Sequence, residues 1–124
     1  MQFVLAPSGC FLYYKGPSGS LRSFNYDAPD EYRGYQSGLN YGICLRRESG
    51  FCGIRYNVHD PFEVGVEPNS SEVRASTEGT CNKDFLMIPN GALDLHPVGS
   101  NRFCGNRFHA QDGAADSALI YSKF

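Results

Sequence analysis

The sequence has no tryptophan, only two methionines, and no apolar run near the roughly 20 residues that a membrane-spanning helix needs. Met1 to Leu5 is too short for a signal-peptide core and lacks a basic start. No stretch carries an apolar stripe of helical period over three turns, and no internal repeat is visible. Lysine and arginine form no basic run and the formal net charge is only -2, which argues against a nucleic-acid partner. No two cysteines are spaced C-x-x-C and no histidine lies at ligand spacing from one, so a zinc site is not indicated. There is no G-x-S-x-G elbow around Ser8, Ser18 or Ser20, and no phosphate-cradling loop. His59, His96 and His109 stand apart from any carboxylate at recognisable spacing, so they read as solvated or capping groups. Nothing here assembles a catalytic constellation, and we expect no enzyme.

What is present favours strands and turns. Nine phenylalanines, eight tyrosines and fourteen glycines in 124 residues suit pleated, half-buried segments separated by tight turns. That length suits one domain, residues 1–124. Five cysteines, at 10, 44, 52, 81 and 104, point to disulfides and hence to a secreted or lumenal protein. A cytosolic chain with scattered buried thiols fits the composition less well. An odd cysteine count without an export signal suggests a piece of a longer secreted chain, one cysteine having its partner outside it.

Asn40 to Tyr56 organises the reading. Tyr41, Ile43 and Leu45 recur every second residue, as on a strand, and Phe51 to Tyr56 is a second run rich in strand formers. Between them Arg46-Arg-Glu-Ser-Gly50 reads as a hairpin loop ended by a permissive glycine. A turn centred near Arg47 and Glu48 sets Cys44 opposite or nearly opposite Cys52. Opposed residues there lie about 4.5–5.5 Å apart at Cα, within reach of a disulfide. A Cys44–Cys52 bridge is the expectation.

Elsewhere strands are expected at Gln2 to Leu5, Phe11 to Tyr14, Leu21 to Tyr26, Phe62 to Glu67, Phe85 to Ile88, Arg102 to Gly105 and Ala118 to Tyr121. A further short strand is drawn at Glu72 to Ala75. The run Phe62-Glu-Val-Gly-Val-Glu67 alternates cleanly, placing Phe62, Val64 and Val66 inward and Glu63 and Glu67 outward. Turn signals at Gly16 to Gly19 and Pro89-Asn-Gly91 separate these runs, and Asp27 to Ser37 and Pro68 to Thr80 read as polar loops. Many short strands at close intervals predict an antiparallel β-sandwich.

Six segments in order resemble the CUB domain, in the divergent form of arthropod secreted proteins. They are Gly9-Cys-Phe-Leu-Tyr-Tyr14, Gly19-Ser-Leu-Arg-Ser-Phe-Asn-Tyr26, Asn40-Tyr-Gly-Ile-Cys-Leu-Arg-Arg47, Gly50-Phe-Cys-Gly-Ile54, Cys81-Asn-Lys-Asp-Phe-Leu-Met-Ile-Pro-Asn-Gly91 and Asn101-Arg-Phe-Cys-Gly105. The resemblance implies an all-β, jelly-roll type sandwich, clipped at both ends and lacking a terminal strand. It implies an extracellular, non-catalytic module that contacts a protein or glycan ligand, with no nucleic acid and no membrane insertion. Cys81 and Cys104 resemble the second cysteine pair of the family, C-x-x-D…C-G. Cys44 and Cys52 resemble the extra hairpin bridge of the arthropod form. Cys10 sits at the family's first cysteine and is left unpaired, its partner expected upstream.

The resemblance also implies a site for Ca²⁺, with Asp84 as the family aspartate and Glu78 and Glu72 as approximate matches to the glutamate. The alternative for Asp84 is a carboxylate that accepts hydrogen bonds from its own turn. Asn69-Ser-Ser71 is an N-glycosylation sequon. Tyr13, Tyr14, Tyr26, Tyr32 and Tyr35, with Tyr41, are a candidate binding face, because tyrosine offers a flat apolar ring with a polar tip. The competing role for these tyrosines is strand packing. The expected function is protein–protein contact within a larger secreted protein. The alternatives are a carbohydrate-binding or extracellular-matrix structural module, or an accessory domain of a secreted protease.

Overall fold

The computed structural model describes residues 8–24, 26, 34–59, 61–66, 71, 73–93 and 99–123. The chain forms two compact units, residues 1–50 and 51–124. The expected strand at Gln2 to Leu5 lies outside the described residues, as do Tyr32, Asn69, Glu72 and His96.

In the first unit β1 (Leu12–Tyr14) pairs with β2 (Ile43–Leu45), Leu12 opposite Ile43 and Tyr14 opposite Leu45. The pairing is parallel, unlike that of the other strands. The Phe11 N–H donates to the Gly42 carbonyl (2.9 Å) and the Arg46 N–H to that of Tyr14 (2.9 Å), extending the ladder at both ends. None of the described residues up to Gly50 is fully buried. With so little burial a covalent tie matters, and Cys10 and Cys44 supply it, their Cα atoms 5.6 Å apart.

This pairing overturns the expected Cys44–Cys52 bridge and the expectation that Cys10 is left over. Period-two alternation identifies a strand but not its partner. Here β2 pairs with β1, while β3 (Gly53–Tyr56) pairs with β7 (Ile120–Lys123). The segment after β2 does not close a hairpin, because Arg46 is bonded to Tyr14 and Glu48 to Gly16. Cys44 is therefore satisfied by Cys10, and Cys52 is an exposed free thiol.

Among its described residues the second unit is all-β except for one 3₁₀ turn, Glu78–Thr80. β3 and β7 make one antiparallel sheet, with Gly53 opposite Lys123 and Tyr56 opposite Ile120. β4 (Ala75–Thr77), β6 (Ser100–Gly105) and β5 (Leu86–Gly91) make the other, in that order and also antiparallel. A bridge between Ala92 and Tyr121 links the end of β5 to β7. Ile88 and Phe103 from the three-stranded sheet, Ile120 from the two-stranded one, and Phe108 from a loop form the buried core. Phe108 stacks on Phe62 and Phe103 at centroid distances of 5.2 and 5.4 Å. Each such side chain contributes about 1.5–3 kcal/mol by leaving water. Gly91 is a requirement of this packing. A Cβ there would lie 2.7 Å from Phe103 and 2.8 Å from Ile120.

Three expected features differ. Leu21 to Tyr26 forms no strand among its described residues. Among its described residues the alternating run at Phe62 pairs only at Val64, which bridges Gly105, although Phe62 does pack on the core and Glu63 is exposed. Pro89-Asn-Gly91 is not a turn. The strand continues through it with a register shift between Met87 and Gly91. Pro89 has no N–H to give the ladder and Asn90 takes a φ of 48°, so side chains complete the pairing. The Asn101 side-chain oxygen accepts the Asn90 N–H (2.8 Å) and the Ser122 hydroxyl donates to the Pro89 carbonyl (2.7 Å).

Candidate interaction surface

In the first unit, Phe11, Phe24 and Tyr41 form an aromatic cluster. The Phe24 ring lies 4.9 Å from Phe11, edge to face, and 4.4 Å from Tyr41. The Phe24 N–H donates to the Tyr41 hydroxyl (3.3 Å), so the polar tip of Tyr41 is used inside the unit. Phe11 nevertheless leaves 64% of its surface exposed. In the sequence Phe11 and Phe24 are legible only as strand residues, because pattern alone does not show which rings a parallel strand pair brings together.

The candidate tyrosines all fall in this unit. Tyr14, Tyr26 and Tyr35 are exposed and Tyr13 is half-buried. Tyr13 and Tyr14 are consecutive in β1, so their side chains point to opposite faces and cannot share one. Tyr13 carries Lys15 Nζ at 5.8 Å over its ring, and Tyr26 carries the Arg22 guanidinium at 5.7 Å. A polar clamp closes the nearby turn. The Glu48 carboxylate accepts the Gly16 N–H (2.7 Å) and two hydrogen bonds from Arg46 (3.0 and 3.1 Å). The Arg46 hydrogen bond, then that of Gly16, hold the Glu48 carboxyl below its ordinary range.

In the second unit Cys81 and Cys104 form a disulfide with Cα atoms 5.8 Å apart. The residues after it, Phe85, Leu86 and Met87, are consecutive, apolar and exposed, Met87 at 59%. Arg102 on β6 reaches over Phe85, its guanidinium 4.4 Å from the ring centroid, and its Nη1 donates to the Cys81 carbonyl at 3.4 Å. Gly65, at a φ of 65° where a side chain is strained, lies against the backbone of Asp84. A Cβ there would sit 2.7 Å from the Asp84 carbonyl oxygen.

Calcium prefers several oxygens from converging loops. Asp84 is exposed, and among the described residues no three His, Cys, Asp or Glu gather so as to hold a metal ion. The Glu78 carboxylate is bound to β6, where its Oε1 accepts the Asn101 N–H and lies 3.1 Å from the Ser100 hydroxyl. The described residues do not fit a calcium site. Sequence reading missed Asp112, whose Oδ1 accepts the Thr77 N–H (3.2 Å) and lies 2.7 Å from the Thr80 hydroxyl. Nothing local in the sequence joins positions 77 and 112. His109 is a local acceptor, its Nδ1 receiving the Gln111 N–H at 2.9 Å, and His59 is exposed. No helix among the described residues is long and apolar enough to cross a membrane.

No curated protein and no solved structure matches the chain. A family model does. The animal CUB domain matches residues 7–123, spanning every strand and both disulfides described above. The chain belongs to the animal CUB domain family.

Proposed function

We propose that this chain is a non-catalytic extracellular module that makes protein–protein contacts within a larger secreted protein. CUB domains are in general extracellular binding modules, and two disulfides suit an oxidising compartment. The observation that carries the reading is the exposure of large aromatic and apolar side chains. Phe11, Tyr14, Tyr26 and Tyr35 in the first unit and Phe85 to Met87 in the second are all open to solvent. Exposed aromatic and methionine side chains are enriched at protein contacts. The Asn69-Ser-Ser71 sequon accords with the same compartment.

The test uses the oxidised protein on an array of extracellular proteins and on a glycan array. Saturable binding to a protein, weakened by Phe11→Ser or Met87→Ser with the melting temperature retained, is the expected result. Binding to glycans alone, lost on replacing Tyr14, Tyr26 or Tyr35, would replace this reading with a carbohydrate-binding one.

A further inference from the structure

The corner of the second unit where β4 ends, the 3₁₀ turn begins and β6 starts is unusually polar. Thr77, at the end of β4, gives its N–H to both the Thr80 hydroxyl oxygen (3.1 Å) and Asp112 Oδ1 (3.2 Å). The Thr80 Oγ1 is 2.7 Å from Asp112 Oδ1 and 2.7 Å from the Thr77 carbonyl, and its single hydrogen serves one of them at a time. On the other side of the turn, Glu78 Oε1 takes the Asn101 N–H and faces the Ser100 hydroxyl. One oxygen of each carboxylate thus meets a backbone N–H and a hydroxyl; the Ser100 hydroxyl also lies 3.1 Å from the Arg102 carbonyl, so its hydrogen, like that of Thr80, serves one acceptor at a time.

Asp112 also starts a strap. The Ala75 N–H donates to the Ala114 carbonyl (2.8 Å) and the Gly113 N–H to the Ala75 carbonyl (2.8 Å), on the side of β4 away from β6. Backbone groups on an outer strand edge would otherwise be open to pairing. The strap occupies them, and Asp112 pins it to Thr77 and Thr80.

We infer that Glu78 and Asp112 close this corner through hydrogen bonds alone, as a clasp that needs no calcium. A cation at Glu78 Oε1 or Asp112 Oδ1 would face the N–H and O–H hydrogens already directed there. The family's implied metal is replaced by donors of this chain, Thr77, Thr80, Ser100 and Asn101. The corner therefore closes without calcium.

The experiment combines thermal melting with amide hydrogen exchange on the full chain. Millimolar calcium chloride or EDTA is expected to leave the melting temperature and the exchange of Ala75, Thr77, Asn101 and Gly113 unchanged. Asp112→Ala is expected to speed exchange at Thr77, Ala75 and Gly113 by about tenfold or more, the loss of a hydrogen bond to a charged group. Asp112→Asn keeps an oxygen acceptor and should have a smaller effect. Thr80→Val removes the hydroxyl with little change of shape and should speed exchange at Thr77, which keeps the test open if Asp112→Ala does not fold. A saturable rise in melting temperature with calcium, reversed by EDTA, would overturn the inference. So would unchanged exchange at Thr77 in both Asp112→Ala and Thr80→Val.

Discussion

Cys10 and Cys44 are joined across a parallel strand pair, with Tyr13 rather than Cys10 as the register partner of Cys44. The bridge therefore runs diagonally from the residues before β1 to the middle of β2. It spans 34 residues, and closing a loop of that size contributes about 3 to 4 kcal/mol in the chain-entropy picture.

This arrangement fixes the outcome of a disulfide map. Proteolysis of the unreduced protein should release Cys10 linked to Cys44 and Cys81 linked to Cys104, with Cys52 alone taking up a thiol reagent under native conditions. A Cys44–Cys52 peptide would contradict the pairing. Cys52→Ser should leave stability within about 0.5 kcal/mol of the parent, as an exposed substitution does.

Gly91 tests how tightly the two sheets of the second unit share their core. Gly91→Ala places a methyl against Phe103 and Ile120, and overpacking of this kind costs about 1–3 kcal/mol. Gly79→Ala, where a Cβ would meet nothing within 4 Å, is the control and should be nearly neutral. Urea denaturation of both variants measures the difference. Equal midpoints would show that the core yields at this position.

Phe103→Ala should cost about 3–5 kcal/mol, because Phe103 is only 1% exposed and lies between Phe108 and the Gly91 position. Phe11→Ala, at a ring mostly in water, should cost far less. Denaturant midpoints of the two variants rank them. The reverse order would mean that the aromatic cluster, not the sheet core, carries the stability.

Glu48 predicts an acid transition in the first unit. Its folded carboxyl titrates below the ordinary value, so its contribution is fully present above the ordinary glutamate range and is lost as pH falls through the depressed folded value. The Gly16 amide reports it directly, since that N–H bonds the carboxylate. Its NMR shift should titrate with the Glu48 midpoint below the ordinary glutamate range, and the step should vanish in Glu48→Gln. A Gly16 shift that titrates at the ordinary value would rule out the clamp.

The strands were largely legible in the sequence and their partners were not. Runs at Leu12, Ile43, Gly53, Leu86 and Arg102 announce themselves through aliphatic and aromatic residues between turn signals. Pairing is a long-range matter. Nothing within Asn40 to Tyr56 says that Ile43 will lie beside Leu12 or Tyr56 beside Ile120. The Cys44–Cys52 expectation failed for that reason, because it inferred a partner from proximity along the chain. Pro89-Asn-Gly91 misled in another way. Its turn chemistry is real, and it is spent on a bulge within β5. The polar corner at Glu78 and Asp112 was barely legible, since Glu78 stood only as an approximate match beside Glu72 and neither its donors on β6 nor Asp112 stood out.

The pairing of β3 with β7 joins the first strand of the second unit to its last. During synthesis, Gly53 to Tyr56 must wait unpaired until Ile120 to Lys123 have emerged. Ile120, a fully buried member of the core, arrives in that same final segment. Completion of this sheet and of the core therefore waits until residues 120–123 have been made, although β4, β5 and β6 are already available by residue 105. Nascent chains stalled before residue 120 should be held by chaperones or degraded.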